Sequence, residues 1–265
     1  MASPRPRQPR VHDEPAYVLH RHDWSESSLI LEVFSRRHGR VALVAKGVKR
    51  PTSQFRPVLL PLQPLRLGWG GDAEVRTLRS AHWQGGHVMP GGDQLLAGCY
   101  LNELLLKLLA REDPHPALFD FYADAVQALA EGSVPQATVV SAFELLLLRE
   151  AGLLPALDVE CASLQPLQRD AHYQLEPEAG LKLVSGEHGP PPQAHHALSG
   201  ENWHAVQRAL ADPHPFATLL QACQGARGNA LRQPLRQLLH YHSGVRVFQT
   251  RQLMLDVRRL RPAQA

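Results

Sequence analysis

Short runs of alternating apolar and polar residues, separated by Gly and Pro, occupy the first third of the chain. Alternation of this kind predicts β-strands, because successive side chains of a strand point to opposite faces of a sheet. The predicted strands cover residues 16–22, 27–34, 41–45, 56–69 and 74–81. Gly39 lies where a hairpin needs a positive φ, and prolines restrict the fourth run to an edge or bulged strand. A small barrel fits these strands better than a sandwich, but the pattern alone does not distinguish an OB-type from an SH3-like barrel.

After a Pro- and Gly-rich break at 87–92, the apolar period becomes helical, with leucines three and four residues apart. Helices are predicted over 94–112, 114–129, 135–150, 199–211, 215–223, 230–241 and 251–260. Between them, prolines interrupt residues 153–198, which predicts an irregular insert with room for a short hairpin at 172–173 and 181–184. The predicted fold class is α+β: a disordered basic tail over 1–14, a barrel over 15–88 and a mainly helical domain over 93–260.

Cysteine usage and hydropathy set the expected environment. The three cysteines, Cys99, Cys161 and Cys223, are far apart and odd in number, so no disulfide framework is expected and the reducing cytoplasm is predicted. Because no C-x-x-C occurs, a cysteine zinc site is not expected either. No apolar run is long enough to cross a membrane, and no cofactor motif such as a P-loop is present.

The charge is distributed unevenly around a net value of +3. Residues 1–90 carry 14 Lys and Arg against 7 Asp and Glu, residues 91–190 carry 5 against 15, and residues 191–265 carry 9 against 3. A basic start and end around an acidic middle favour binding of a polyanion. Ordinary variation of surface charge is the alternative.

A dense group of seven cations falls within 21 residues, on two strand ends and the loops between them. We predict that they converge at one rim of the barrel and form an electrostatic groove for a nucleic-acid backbone. The group is Arg36, Arg37, Arg40, Lys46, Lys49, Arg50 and Arg56. Trp24 and Trp69, beside polar and Gly-rich turns, are the candidates for stacking on bases, whereas Phe34 is assigned to the core. A merely solvated loop surface is the competing interpretation.

Other chemistry has weaker support. The 15 histidines, including His188, His195 and His196, lack the spacing of known metal motifs. Asp158, Glu160 and Asp170 lie in the irregular stretch rather than on defined strands, so a two-metal nuclease is only a minor alternative. No enzyme is expected. In the last helical region Arg232 and Arg236 edge an apolar helix, an arrangement suited to an acidic, apolar peptide tail.

Taken together and in order, several segments resemble the RecO family of bacterial recombination mediators, over roughly residues 16–255. They are AYVLH at 16–20, DWSESSL at 23–29, GRV at 39–41, LVAKG at 43–47, GCYLNELL at 98–105, FEL at 143–145, residues 235–241 and GVR at 244–246. The resemblance implies an N-terminal OB-fold barrel, a helical domain and no catalysis.

The resemblance also implies partners. It implies binding of single- and double-stranded DNA, annealing of complementary strands, and work with RecR, and in some cases RecF, to load RecA onto strands coated by single-stranded DNA-binding protein (SSB). A cytoplasmic, nucleoid-associated protein is the corresponding expectation. Some members carry a four-cysteine zinc site, of which this chain keeps only Cys161, so residues 153–198 are interpreted as a degenerate zinc region. The basic turn before the last helix is reduced to Arg251. A protein-interaction scaffold that does not bind DNA remains the alternative function.

Overall fold

The computed structural model describes residues 10–184 and 197–260. The chain divides between Ala130 and Glu131 into two compact units. The predicted change from strands to helices at 87–92 therefore lies inside the first unit, which contains the barrel and two helices.

Five strands form the closed barrel of the first unit. They are β1 (Arg10–Asp23), β2 (Leu29–Ser35), β3 (Gly39–Ala45), β4 (Leu65–Gly70) and β5 (Val75–Trp83). Their order around the barrel is β1-β2-β3-β5-β4, with β3 and β5 parallel and the other pairs antiparallel. This is the topology of an OB-type barrel, and the predicted α+β fold is confirmed.

The interior of the barrel follows the alternation read from the sequence. Leu31 and Val33 of β2 and Leu43 of β3 are fully or almost fully buried, as are Leu67 and Trp69 of β4. Because the period of a strand is two, every second residue of these strands faces outward.

Two helices of the first unit, α1 (Gly92–Leu108) and α2 (Pro116–Glu131), cover part of the outer barrel surface. Phe34 and Tyr17 point outward from β2 and β1 and pack against Phe119 and Tyr122 of α2. The assignment of Phe34 to the core is confirmed, although it belongs to this barrel–helix layer and not to the barrel interior. Burial of these aromatic rings provides much of the apolar contact of the layer.

The β2–β3 turn meets the chain after α1 at very short range. Gly39 has a φ of +63°, and a Cβ at this position would lie 2.1 Å from the backbone oxygen of Asp113. Only glycine fits, both for its left-handed conformation and for the space. The backbone N–H of Glu112 donates to the carbonyl of Arg40 at 3.0 Å, which ties the segment 109–113 to β3.

The second unit contains α3 (Gln136–Glu150), α4 (Gly200–Leu210), α5 (Pro215–Ala222), α6 (Gly225–Ser243) and α7 (Gln249–Leu260). A small sheet of β6 (His172–Glu176), β7 (Gly180–Leu183) and β8 (Leu198–Ser199) has the order β7-β6-β8. The predicted hairpin at 172–173 and 181–184 is confirmed as β6–β7. The buried Trp203 donates from Nε1 to the carbonyl of Tyr173, which joins α4 to the sheet.

Two local predictions were wrong. Residues 10–14 are not disordered but begin β1, where Arg10 pairs with Gly70 of β4. The run 56–69 forms a strand only from Leu65, because Pro57, Pro61 and Pro64 cannot donate to a ladder and residues 50–64 adopt turns. His188, His195 and His196, like residues 1–9 of the predicted tail, lie outside the described residues.

Candidate nucleic-acid interface

The seven predicted cations do not share one rim. The β2–β3 hairpin places Arg36, Arg37 and Arg40 at its turn, whereas the other four cations follow the opposite end of β3. Since β3 has seven residues, the two groups are separated by about 20 Å along the strand. We call residues 36–40 the turn end, and residues 23–28 together with 46–56 the loop end. The prediction of a single basic rim is therefore wrong.

At the turn end the cations form hydrogen bonds and ion pairs with other parts of the fold. Arg36 binds Asp120 of α2 through two hydrogen bonds of 2.9 and 2.8 Å, and these bonds raise the pKa of its guanidinium. Arg37 donates to Glu14 from its backbone N–H and its Nε, both at 2.7 Å. The Glu14 side chain is fully buried, so it depends on Arg37 to compensate its charge.

Arg40 is mostly buried, with 15% of its side chain exposed. It donates to the backbone carbonyl of Leu106 in α1, and its Nε lies 3.8 Å from the carboxylate of Glu32. Burial lowers the pKa of its guanidinium, and the charge of Glu32 opposes this. Arg40 fastens α1 to the barrel and is not available to a ligand.

The outer face of β2 and β3, which binds oligonucleotides in many OB-folds, is partly occupied here. Glu32 of β2 accepts from Arg111 at 2.5 Å, and Arg111 also binds Glu74, in the β4–β5 turn, at 2.6 Å. A second pair joins Arg76 to Glu112 at 2.7 Å. The arginines of this face are therefore bound to carboxylates within the fold, which weakens the attraction of this face for a phosphate backbone.

The loop end is built from two segments that hydrogen-bond to each other. In the β1–β2 loop, the N–H of Ser28 donates to the hydroxyl of Ser25 at 3.2 Å. The N–H of Lys49 donates to the carbonyl of Ser27 at 2.9 Å, and Gly47, with a φ of +70°, reaches the Ser28 hydroxyl at 3.4 Å. The loop and the turn after β3 are thus held side by side.

Three cations of the loop end are exposed. Within the described residues, Lys46, Arg50 and Arg56 form no ion pair with any carboxylate. Lys49 differs, because its ammonium lies 2.6 Å from Asp23 and donates to the Ser25 carbonyl at 2.9 Å. Sequence reasoning missed Asp23 as a partner of Lys49, since the two residues are 26 positions apart and meet only when β1 and β3 are folded.

The two candidate tryptophans have opposite environments. Trp24 is 66% exposed and lies in the β1–β2 loop beside the loop-end cations. Trp69 is 1% exposed, belongs to the barrel core and contacts the ring of His38 edge-on at 5.3 Å. The prediction of Trp69 as a stacking residue is therefore wrong, and Trp24 alone of the pair can meet a base.

In the second unit, Arg232 and Arg236 lie one turn apart on α6. Arg232 is exposed and Arg236 is partly buried, while Leu231 and Leu235 beside them are fully buried. The helix therefore has the apolar, packed side and the basic edge that its sequence predicted.

The region interpreted as a degenerate zinc site contains a turn held by a carboxylate. Glu160 accepts from the backbone N–H of Ser163 at 2.6 Å, and hydrogen bonds from Ser163 and from the backbone of Ala162 and Leu183 lower its pKa. Over residues 10–184 and 197–260, no group of three or more His, Cys, Asp or Glu side chains could hold a metal ion. In the same ranges, no helix is long and apolar enough to cross a membrane.

Comparisons with known proteins identify the family. Residues 10–86 match the family model "Recombination protein O N terminal", and residues 90–247 match "Recombination protein O C terminal". The chain belongs to the RecO family.

Similar RecO proteins cover the chain almost completely. "DNA repair protein RecO" of Variovorax paradoxus (strain S110) is 59% identical over 259 residues, which are 95% of this chain and 98% of that protein. "DNA repair protein RecO" of Polaromonas sp. (strain JS666 / ATCC BAA-500) is 57% identical over 256 residues with the same coverage. Membership of the RecO family supports a role in DNA repair and recombination.

Proposed function

We propose that this RecO-family protein binds single-stranded DNA at the loop end of its barrel. One observation carries the proposal: Lys46, Arg50 and Arg56 are exposed cations without ion pairs among the described residues, and they lie on the same segment pair as the exposed Trp24. The loop between the first two strands is a common site of oligonucleotide binding in OB-folds.

The proposed contacts divide between charge and stacking. The three unpaired cations neutralise phosphates, and each neutralised phosphate releases condensed counterions, so that affinity falls with salt. Lys49 adds no such contact while it is paired with Asp23. Trp24 stacks on a base and needs no particular base, since every base has a π-face. Binding is therefore independent of sequence, as expected for a protein that acts at arbitrary sites of damage.

The test compares two variants with the same loss of charge. We expect the triple variant Lys46→Ala/Arg50→Ala/Arg56→Ala to bind a labelled single strand much more weakly at low salt. Its salt dependence of log affinity should flatten by about two units, at about 0.7 for each lost contact. The matched control, Lys107→Ala/Lys182→Ala/Arg246→Ala, removes three exposed cations elsewhere and should keep the slope.

Two results would contradict this proposal. If the triple variant is folded and keeps the wild-type affinity and slope, the loop end is only a solvated surface. If the wild-type protein binds no DNA, a protein-interaction scaffold becomes the better function. The same assay with added Mg²⁺ tests for cleavage of the strand, and we expect none.

We further propose the wider role that the family resemblance implies. The protein would bind single- and double-stranded DNA, anneal complementary strands, and act with RecR, and with RecF in some pathways, to load RecA onto SSB-coated strands in the cytoplasm. The basic loop end supports this proposal because annealing requires a cationic surface that offsets the repulsion between two polyanions.

For SSB we propose that its acidic, apolar C-terminal tail binds beside Arg232 and Arg236 of α6. Charge-assisted hydrogen bonds to a carboxylate contribute on the order of 1.5–3 kcal/mol each. Replacement of both arginines by Ala should weaken binding of a tail peptide at least about tenfold, measured by fluorescence anisotropy. The pair Arg169→Ala/Arg208→Ala, on exposed ion-paired residues of the same unit, provides the control. Equal affinity of a folded double variant and the wild type would place the tail elsewhere.

A further inference from the structure

The outer face of β1, β4 and β5 carries a second group of cations that the loop end does not include. Leu65 and Leu67 of β4 point into the core, so Arg66 between them faces outward, as does His82, its partner on β5. Arg10 pairs with Gly70, next to the core residue Trp69, and therefore also lies at an outward position. Arg79 is the extra residue of a β5 bulge and is exposed.

The charge of this face is mostly uncompensated. Within the described residues neither Arg10 nor Arg79 forms an ion pair, whereas Arg66 lies 3.7 Å from Asp13. Asp72 and Glu74, in the β4–β5 turn, are also exposed, but Glu74 is already bound by Arg111. The face therefore has an excess of positive charge.

The outward side of β4 is closely packed by its neighbours in the sheet. At Gly68 a Cβ would lie 2.4 Å from the Ser80 hydroxyl and 3.2 Å from the Val11 carbonyl, and both Gly68 and Gly70 are buried. A ligand on this face therefore meets the exposed side chains of Arg10 and Arg79 rather than the backbone of β4.

We propose that this β1–β4–β5 face binds the phosphate backbone of a second nucleic-acid strand while the loop end holds the first. The inference rests on the proposed function and names what that function requires, since annealing brings two polyanions onto one protein. The two surfaces are distinct because Arg10 and Asp23 are the opposite ends of β1. A strand of 14 residues extends over as much as about 45 Å, less where it bends around the barrel.

The experiment detects the simultaneous binding of two strands by energy transfer between their labels. The protein is mixed with donor-labelled and acceptor-labelled oligo(dT), which cannot pair with each other. Each oligonucleotide has a length of about 4–16 nucleotides, the site size of one OB fold. We expect the wild type to give energy transfer between the two labels. The variant Arg10→Ala/Arg79→Ala should bind the first strand within about twofold of the wild type, lose the transfer signal, and anneal complementary strands at least about tenfold more slowly.

The control variant, Lys107→Ala/Lys182→Ala, removes the same charge from exposed positions and should behave as the wild type. Because exposed charges contribute little to stability, all variants should fold, which circular dichroism and thermal unfolding verify. If Arg10→Ala/Arg79→Ala keeps the transfer signal and the annealing rate, the second site is refuted. The second site is also refuted if Arg10→Ala/Arg79→Ala loses as much affinity for the first strand as the loop-end triple variant does, because one strand would then contact both surfaces. Absence of any binding by the wild type refutes the proposed function itself.

Discussion

The two ends of the β2–β3 hairpin carry similar numbers of cations in very different surroundings. At the turn end, Arg36, Arg37 and Arg40 bind a carboxylate of α2, a buried carboxylate of β1 and a carbonyl of α1. At the loop end, Lys46 and Arg50 are exposed and form no ion pair among the described residues. A cluster of cations in a sequence can therefore either stabilise the fold through ion pairs or remain available to a ligand.

Local charge density does not distinguish these outcomes, but the elements nearby do. The turn end lies under α1, α2 and the segment 109–113, which contribute Asp120 and the carbonyl of Leu106. Among the described residues, no helix contributes a partner to the loop-end cations, and Asp23 is the single carboxylate that binds one of them. Substitutions at the turn end should consequently change stability, and those at the loop end should change affinity.

The largest effect is expected from Trp69, whose ring contacts His38 of the turn end from within the core. Trp69→Ala should lower the free energy of unfolding by about 3–5 kcal/mol, because it leaves a large cavity in the barrel. Denaturant unfolding followed by circular dichroism measures this. Trp24→Ala, the control, should change stability by less than about 0.5 kcal/mol. Equal stability of the two variants would contradict the assignment of Trp69 to the core.

Arg37 gives the next effect, on the turn end itself. Arg37→Ala should lower the free energy of unfolding by about 1–3 kcal/mol, since the buried Glu14 carboxylate keeps the backbone N–H but loses the charged partner. Single-strand affinity should stay within about twofold of the wild type. Lys46→Ala at the loop end should show the reverse pattern. If Arg37→Ala weakens DNA binding without changing stability, the division between the two ends fails.

Trp24 tests stacking separately from charge. Trp24→Ala should weaken single-strand binding by about 1–3 kcal/mol with an unchanged salt slope, because stacking releases no counterions. Trp24→Phe should recover part of the loss. The measurement is the same salt titration of DNA affinity that is used for the cation variants. A changed salt slope in Trp24→Ala would mean that the substitution had altered the conformation of the loop and not only removed the ring.

The smallest effect concerns Asp23, which neutralises Lys49. A hydrogen bond and the charge of Lys49 lower the pKa of the Asp23 carboxyl, so the pair is formed at neutral pH and is lost only as pH falls through that lowered pKa. Asp23→Asn should free Lys49 and raise affinity about two- to threefold at low salt. A carbon-detected NMR titration of Asp23 should give a midpoint below the usual Asp value, and Lys49→Met should restore it.

Glu26→Gln is the matched control for this prediction, because Glu26 is an exposed carboxylate of the same loop without an ion pair among the described residues. An equal gain from both variants would mean that net charge alone, not the release of Lys49, controls the affinity.

Most of the fold could be predicted from the sequence, because periodicity is a local signal. The alternation in β2 and β3 and the helical spacing of leucines located these elements to within a few residues. The start of β1 was not predicted, because Pro15 and the charged residues near it resemble the end of a strand. Pro15 nevertheless pairs with Arg66 of β4, at a position where its missing N–H donor is tolerated. The turns of 50–64 were read as strand because apolar residues recur between the prolines.

The candidate site was less predictable, since its decisive contacts are distant in sequence. Arg36 meets Asp120 across 84 positions and Arg40 meets Leu106 across 66, and no local pattern reports such pairs. Trp69 is different, because Leu65, Leu67 and Trp69 alternate and already place the ring on the core face. The neighbouring glycines suggested an exposed turn and concealed that signal.

The turn around Glu160 has a consequence for the protein in a damaged cell. Its shape is set by hydrogen bonds from Ser163, Ala162 and Leu183 to one carboxylate with a lowered pKa, and by the Glu160 N–H bound to the carbonyl of Gln165 at 2.9 Å. A carboxylate cannot be oxidised as a thiolate ligand can, and it does not dissociate under chelation. Cys161 also lies in this turn, with its thiol 4.0 Å from Glu160 Oε1, so an oxidant would act on Cys161 and leave the carboxylate that accepts the hydrogen bonds chemically unchanged.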